Sequence, residues 1–100
     1  MMSTYYILRK ANGDILTIDV KGKEYIAVWD SETGVRRSKR ANPDLIVYLP
    51  APLDRRLIER TLPNLNVPFF LVDSRDPDLQ TGREISWDQL FGEPTLAQAA

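Results

Sequence analysis

The sequence predicts a single-domain α+β fold, a mixed β-sheet with two main helices packed on it. Hydrophobic residues make up 43% of the 100 residues and charged residues 27%, the balance of one small globular domain. Three short segments rich in aromatic and branched residues open the chain, as strands of an antiparallel meander do. Later apolar runs alternate with segments of helical spacing, which favours strand–helix–strand units in the same sheet.

The strands of the meander are expected over residues 5–10, 15–20 and 24–29. Asn12-Gly13 separates the first two strands, and this dipeptide tolerates the positive φ angles of a tight hairpin turn. Lys21-Gly22-Lys23 provides the second turn.

A first helix is predicted over residues 32–41. Asp30 or Ser31 would cap it, because either side chain can accept a hydrogen bond from a free backbone N–H of the first turn. The helix ends before Pro43, because the residue preceding a proline avoids the helical region. Its inward face consists of small residues, so it should lie close to the sheet. These residues are Gly34, Val35, Ser38 and Ala41.

The second half begins with the apolar run LIVYL at residues 45–49, which predicts a central strand covered on both faces. A second helix is expected from Pro52, a residue suited to a first helical turn, to just before Pro63. Its apolar positions have amphipathic spacing. They are Leu53, Leu57, Ile58 and Leu62.

A fifth strand is predicted over residues 68–73, followed by a polar loop to Gly82. A short edge strand at Glu84-Ile85 and a last helical turn capped by Ser86 complete the expected domain, residues 1–91. Trp87, Leu90 and Phe91 would lock this turn onto the core or dock on a partner or second copy. Residues 92–100 are expected to be a disordered tail.

Two absent residue types bear on the enzyme question. The chain has no histidine, hence no imidazole base or Ser-His-Asp triad, and no cysteine, hence no thiolate nucleophile or thiolate metal site. No glycine-rich phosphate loop is present. We therefore predict a protein without catalytic activity, cofactor or metal.

Location and membrane contact follow from similar arguments. Without cysteine no disulfide framework argues for secretion, and the N-terminus lacks the basic and apolar regions of a signal peptide. The apolar runs are too short for a membrane span. A soluble cytoplasmic protein with no membrane partner is expected.

Charge is balanced overall but unevenly distributed. The formal net charge is −1. Residues 35–60 carry seven basic and three acidic side chains, net +4, whereas residues 61–100 carry two basic and six acidic, net −4. The two regions could pair within the fold or between molecules.

A candidate basic surface lies on the outer face of the first helix. It consists of Arg36, Arg37, Lys39 and Arg40. Such a face can be merely solvated, or it can contact an acidic protein or the phosphates of a nucleic acid.

A candidate strand-end edge follows if strands 3, 4 and 5 are parallel. Asp30-Ser31, Pro50-Ala51 and the segment 73–75 would then meet at one edge of the sheet, where open α/β sheets often bind ligands. Asp30, Asp73 and Arg75 are the candidate binding residues. Alternatively, Asp30 caps the helix and Asp73 fastens a loop.

The acidic loop offers a further candidate site. Asp73, Asp76 and Asp78, with Glu84 nearby, carry the oxygen ligands that calcium or magnesium prefers. The spacing D-x-x-D-x-D lacks the EF-hand pattern, and a solvated loop with local turn hydrogen bonds is the alternative.

A strand ending in Trp-Asp-Ser, then a helix, a strand and an amphipathic helix, extends over residues 24–73. The stretches are VWDSETGVRRSKRA, LIVYLPAPLDRRLIERTLPNL and VPFFLVD. This layout resembles small bacterial domains of unknown function and is similar in outline to the amino-terminal domain of secretion-enhancer-type proteins. The chain departs from them at Gly34 and in the acidic loop. The resemblance implies a non-catalytic module and assigns no functional residue.

The sequence thus predicts a non-enzymatic protein-interaction or regulatory module of a bacterial type. Its partner would be another protein or a second copy of the chain, because the N-terminal hairpin has an edge able to pair with another strand. The alternative is a nucleic-acid-binding protein that uses the basic helix around residues 36–40.

Overall fold

The structure of the protein is a computed structural model, and it describes residues 4–61, 67–86 and 89–90. It confirms an α+β fold with a mixed sheet and two helices. The elements in chain order are β1 (Tyr6–Arg9), β2 (Thr17–Val20), β3 (Lys23–Val28), α1 (Glu32–Ala41), a 3-10 turn (Pro43–Leu45), β4 (Leu49–Pro52), α2 (Arg55–Thr61), β5 (Phe69–Val72) and β6 (Gly82–Ile85).

Four strands form one mixed sheet in the order β2-β3-β5-β6. The β3–β5 pair is parallel, with Ile26 opposite Phe69, and the other two pairs are antiparallel. A second sheet consists of β1 and β4, paired antiparallel with Ile7 opposite Ala51.

Strand β1 joins the two sheets. Tyr6 exchanges two backbone hydrogen bonds of 2.8 Å with Trp29, just after β3, and Leu16 donates a 2.8 Å bond to the carbonyl of Leu8. The open ends of the β2–β3 hairpin therefore separate, and β1 lies between them. The predicted meander is correct for β2 and β3, but β1 has its full ladder with β4 rather than with β2.

The core has two clusters, one on each face of the strands. Val35 of α1 belongs to the first cluster together with Leu8 and Trp29, and Ile58 of α2 belongs to the second together with Ile7. The two helices therefore pack on opposite faces. Ile7 and Leu8 are neighbours with no solvent exposure, which shows that β1 is covered on both sides.

The N-terminus and inner face of α1 form largely as predicted. The Ser31 hydroxyl accepts a 3.0 Å hydrogen bond from the backbone N–H of Gly34, and Gly34, Val35 and Ser38 are buried. The indole Nε1 of Trp29 donates a 2.9 Å bond to the buried Ser38 hydroxyl, so both polar groups are satisfied.

The expected burial of Ala41 is wrong, because this residue is exposed. The 3-10 turn that follows α1 supplies Leu45 to the first cluster, so Leu45 covers that part of the core after the helix ends. The Asn42 side chain caps this turn by accepting a 3.0 Å bond from the N–H of Asp44.

The predicted buried strand over residues 45–49 is wrong. Leu45 lies in the 3-10 turn, and Ile46, Val47 and Leu49 are 75%, 60% and 60% exposed. The strand begins at Leu49 and includes two prolines, which lack the N–H that a central strand needs to donate on both sides.

The second helix begins at Arg55, later than expected, because Pro52 belongs to β4 and not to the first helical turn. Asp54 accepts a 3.2 Å hydrogen bond from the N–H of Arg56, and α2 runs over Arg55–Thr61. Ile58 is fully buried as predicted. Leu62 and Pro63 lie outside the described residues.

The predicted strands near residues 68–73 and 84–85 are confirmed as β5 and β6. The loop between them buries Leu79. Ser86 and Gln89 exchange side-chain-to-backbone hydrogen bonds of 2.9 and 3.1 Å, which is the capping expected of Ser86. Leu90 is buried in the second cluster.

The remaining C-terminal predictions, for Trp87, Phe91, the boundary at residue 91 and the tail 92–100, fall outside the described residues. Among the helices that the structure describes, none is long and apolar enough to cross a membrane.

Candidate functional site

The parallel pairing of β3 and β5 brings their carboxyl ends together, as expected for the strand-end edge. Asp30 and Ser31 after β3, and Asp73 and Ser74 after β5, line one pocket of about 400 Å³. The other lining residues are Arg37, Leu71, Val72, Gly82 and Arg83. The expected contribution of residues 50–51 is wrong, because β4 belongs to the other sheet.

Asp73 is held by Arg75. The guanidinium donates to both carboxylate oxygens at 3.0 and 2.9 Å, and the backbone N–H of Arg75 donates at 3.0 Å. These hydrogen bonds, the side-chain bond foremost, lower the pKa of Asp73 to about 2. A carboxylate with so low a pKa stays ionised at neutral pH and is a weak base, so Asp73 is suited to fastening the loop.

The start of α1 approaches the same loop closely. A Cβ at Gly34 would lie 3.1 Å from the Ser31 hydroxyl and 3.5 Å from Ser74, so a glycine lets the helix approach this loop. Arg37 donates a 3.0 Å hydrogen bond to the Ser74 hydroxyl. The strand-end pocket is thus closed on one side by contacts that fix the helix to β5.

The acidic loop uses its carboxylates internally. Asp76 accepts hydrogen bonds from the Thr81 hydroxyl at 2.7 Å and from the N–H groups of Asp78 and Gln80 at 3.0 and 3.1 Å. These bonds, that of Thr81 foremost, lower the pKa of Asp76. Within the described residues, no group of three or more acidic side chains is arranged to hold a metal ion.

The basic surface of α1 is partly engaged with its own chain. Arg36 lies 3.6 Å from the carboxylate of Glu32, Arg37 bonds Ser74, and Lys39 donates to the carbonyl oxygen of Tyr48. Of the four predicted basic residues, Arg40 alone forms no ion pair or side-chain hydrogen bond with the described part of the chain.

Sequence reasoning missed the surface that we call the apolar segment, Ile46, Val47 and Leu49. These are the large hydrophobic residues that the described structure exposes. Two cations lie beside it, because Lys39 bonds the Tyr48 carbonyl and the Lys10 ammonium lies 5.9 Å from the centre of the Tyr48 ring. The signal in the sequence was the pair of prolines that follows, which restricts this run to an edge.

The outer edge of β4 lacks two hydrogen-bond donors. The N–H of Leu53 donates a 2.7 Å bond to the carbonyl of Tyr5, next in the β1–β4 register. Since successive residues of a strand direct their N–H groups to opposite sides, Leu49 and Ala51 also face β1. Pro50 and Pro52 therefore occupy the positions that face away from β1, where another strand would need an N–H.

Next to the apolar segment lies a groove of about 730 Å³ between β4 and α2, which we call the β4–α2 groove. Its lining residues are Arg9, Ala51, Pro52, Leu53, Asp54, Arg55, Leu57 and Arg60. Leu49 lies opposite Arg9 in the register, so the side chains of these two residues share one face of the β1–β4 sheet.

The groove is rich in guanidinium groups. Arg55 lies 3.4 Å from Glu59, an exposed pair one helical turn apart. Arg9 and Arg60 form no ion pair with the part of the chain that the structure describes. Asp54 supplies the one carboxylate of the lining, and it caps α2. The groove therefore combines an apolar floor with an excess of positive charge.

No family model matches the chain, and no curated protein is significantly similar to it. The resemblance to small bacterial domains of unknown function stays a prediction.

Proposed function

We propose that this protein is a non-enzymatic protein-interaction module that binds its partner through the apolar segment. The observation that carries this proposal is the exposure of Ile46, Val47 and Leu49 within four residues of the chain. Burying apolar surface is favourable by about 25 cal/mol per Å², so three exposed residues of this size favour contact with a partner.

The mode of contact follows from the place of the segment in the fold, since Ile46 and Val47 precede β4 and Leu49 begins it. Pro50 and Pro52 prevent a partner strand from completing a hydrogen-bonded ladder along β4. A partner would therefore be recognised through side chains that pack on the apolar segment, rather than through an added strand.

The strand-end pocket supports this assignment indirectly. Its best-held carboxylate, Asp73, is committed to Arg75, and the helix beside it is fixed by the Arg37–Ser74 hydrogen bond. These contacts are those expected of a pocket that stabilises the fold. A non-catalytic role is therefore the simpler assignment for this edge.

Nucleic-acid binding by α1 is the less favoured alternative. Three of its four predicted contact residues already have partners within the chain, and phosphates would have to compete with them. Binding that depends on Arg36 and Arg40 and that falls steeply with salt would be the mark of this alternative.

Site-specific photo-crosslinking in the native host tests the proposal. A benzoylphenylalanine residue at Val47 is expected to give discrete crosslinked protein species, because this side chain is exposed in the apolar segment. The matched control carries the same residue at Lys21, in the exposed turn between β2 and β3. A product of twice the protein's mass would identify the partner as a second copy.

The proposal is wrong if position 47 gives no discrete product, or if it gives the same products as position 21. Thermal unfolding of both variants by circular dichroism establishes that each is folded before the comparison is made.

A further inference from the structure

We infer that the β4–α2 groove binds an acidic segment of a partner protein, with apolar side chains on the groove floor and carboxylates against the arginines. This inference rests on the proposed interaction function and specifies the chemistry of the partner. It makes the apolar segment and the groove two parts of one binding surface, joined at Leu49.

The shape of the groove fits such a ligand. Its volume of about 730 Å³ lies within the range of about 300–1,000 Å³ that is usual for ligand pockets. The half-buried side chains of Ala51, Leu53 and Leu57 present apolar surface inside it and also pack against the second core cluster. Because the core holds these side chains in place, a leucine or phenylalanine of a partner can pack against them without rearranging the groove.

The charges define what surrounds that apolar contact. Arg9 enters from β1, and Arg55 and Arg60 enter from α2, so guanidinium groups come from two different elements. The guanidinium groups of Arg9 and Arg60 can each bind a carboxylate through two parallel hydrogen bonds, whereas Arg55 is already paired with Glu59. Because Arg9 and Arg60 have no ion pair within the described chain, a partner's carboxylates would add contacts without displacing existing ones.

An acidic peptide fits better than a nucleic acid. Single strands bind on aromatic side chains against which bases stack, and none of the described residues that line the groove is aromatic. Phosphates would use the arginines but leave the apolar floor and the adjacent Leu49 uncovered. A segment with both carboxylates and apolar side chains uses both features.

Selection from a phage-displayed library of random 12-residue peptides tests the inference. The full-length protein is immobilised and binding peptides are sequenced. We expect enrichment of peptides that combine Asp or Glu with Leu or Phe. The best peptide is then labelled, and its dissociation constant is measured by fluorescence anisotropy.

Variants locate the bound peptide. Arg9→Ala and Arg60→Ala are each expected to weaken binding by about tenfold at low salt, as loss of a charge-assisted contact would. The matched control Arg36→Ala, an arginine on the far face of the fold, should change the dissociation constant by less than about twofold. Unfolding curves for each variant separate loss of binding from loss of structure.

The outcomes distinguish the groove from the wider proposal. Two outcomes overturn the inference and leave the interaction function standing. In the first, the selected peptides are not enriched in acidic residues. In the second, Arg9→Ala and Arg60→Ala leave the affinity for the peptide unchanged, whereas Val47→Ser lowers it. Failure to enrich any peptide also overturns it, and crosslinking at position 47 then decides the function independently. Arginine-dependent binding of a labelled single-stranded DNA in place of the peptide would assign the groove to nucleic acid.

Discussion

Two apolar runs of similar composition differ in solvent exposure in this molecule. The strand β5, Phe69–Val72, is largely buried between β3 and β6, whereas Ile46, Val47 and Leu49 are mostly exposed. The difference lies in the backbone. β5 has hydrogen-bonded strands on both sides, whereas Ile46 and Val47 lie in a turn before β4, and Leu49 begins a strand whose one described partner is β1. Hydrophobicity alone therefore does not determine which apolar run becomes a central strand.

The comparison also separates stability from binding. Residues of the central strands have their apolar surface covered by the fold and contribute to its free energy. Residues of the apolar segment keep that surface in water, so their contribution is expected only when a partner covers it.

The largest expected effect comes from truncating the same residue type in the two regions. Ile26→Ala in β3 should lower the free energy of unfolding by about 2–5 kcal/mol, because Ile26 is fully buried in the second cluster. The matched change Ile46→Ala should alter it by less than about 0.5 kcal/mol. Urea unfolding of both variants measures the difference, and similar losses would contradict the proposed contrast.

A second prediction tests how closely β6 approaches β5. Gly82 has φ +150°, and a Cβ there would overlap the carbonyl oxygen of Leu71 and lie 2.9 Å from the Phe70 ring. Gly82→Ala should therefore cost roughly 2–4 kcal/mol through strain and displaced backbone.

Gly13 provides the control for that substitution. It has φ +99° but open space around the position of a Cβ, so Gly13→Ala should cost only the backbone strain, about 1 kcal/mol. Thermal unfolding of the pair gives the answer. Equal losses would mean that the close approach at Gly82 does not contribute.

A third prediction concerns the outer edge of β4. Pro50→Ala and Pro52→Ala together restore two N–H groups on that edge, and the double variant should self-associate through strand pairing. Its free energy of unfolding should fall by only about 1 kcal/mol, from greater freedom of the unfolded chain. Light scattering at increasing protein concentration measures the association, and a strictly monomeric variant would show that the prolines do not protect this edge.

The smallest effect is expected from the loop after β5. Asp73 has a folded pKa of about 2, below its ordinary value of 3.8, so its ionised form stabilises the folded state. That contribution is complete at neutral pH and is lost as the pH falls from about 5 to about 2. The stability difference between the wild-type protein and Asp73→Asn should therefore be greatest near pH 7 and disappear only below pH 2, where the carboxyl group is protonated in both the folded and the unfolded state. A difference independent of pH would show that the charge is not responsible.

Much of the fold could be predicted because its signals are local. Ser31 as a cap, the small inward residues of α1 and the aromatic and branched residues of the strands each act within a few positions of the chain. The partner of β1 could not be predicted in this way. Its pairing with β4 depends on two segments that are distant in the sequence, and a turn dipeptide after β1 favoured β2 instead.

The candidate site was predicted only in part. The meeting of Asp30 and Asp73 followed from parallel pairing of β3 and β5, which the order of elements favoured. The β4–α2 groove was missed because the run at residues 45–49 was interpreted by hydrophobicity, without weighing Pro50 and Pro52. Its arginines come from β1 and α2, whose proximity depends on the same unpredicted β1–β4 pairing.

The position of β1 has a consequence for how the chain acquires its structure during synthesis. The β1–β4 pairing of Tyr6 cannot form until Pro52 has been synthesised. Likewise, the β3–β5 pairing of Ile26 cannot form until Phe69 has been synthesised. Strands β1 and β3 are thus completed by segments that leave the ribosome later than they do. A nascent chain exposes Ile7, Leu8 and Ile26 until those segments emerge, so the ribosome-bound stage is the point at which premature aggregation is most to be expected.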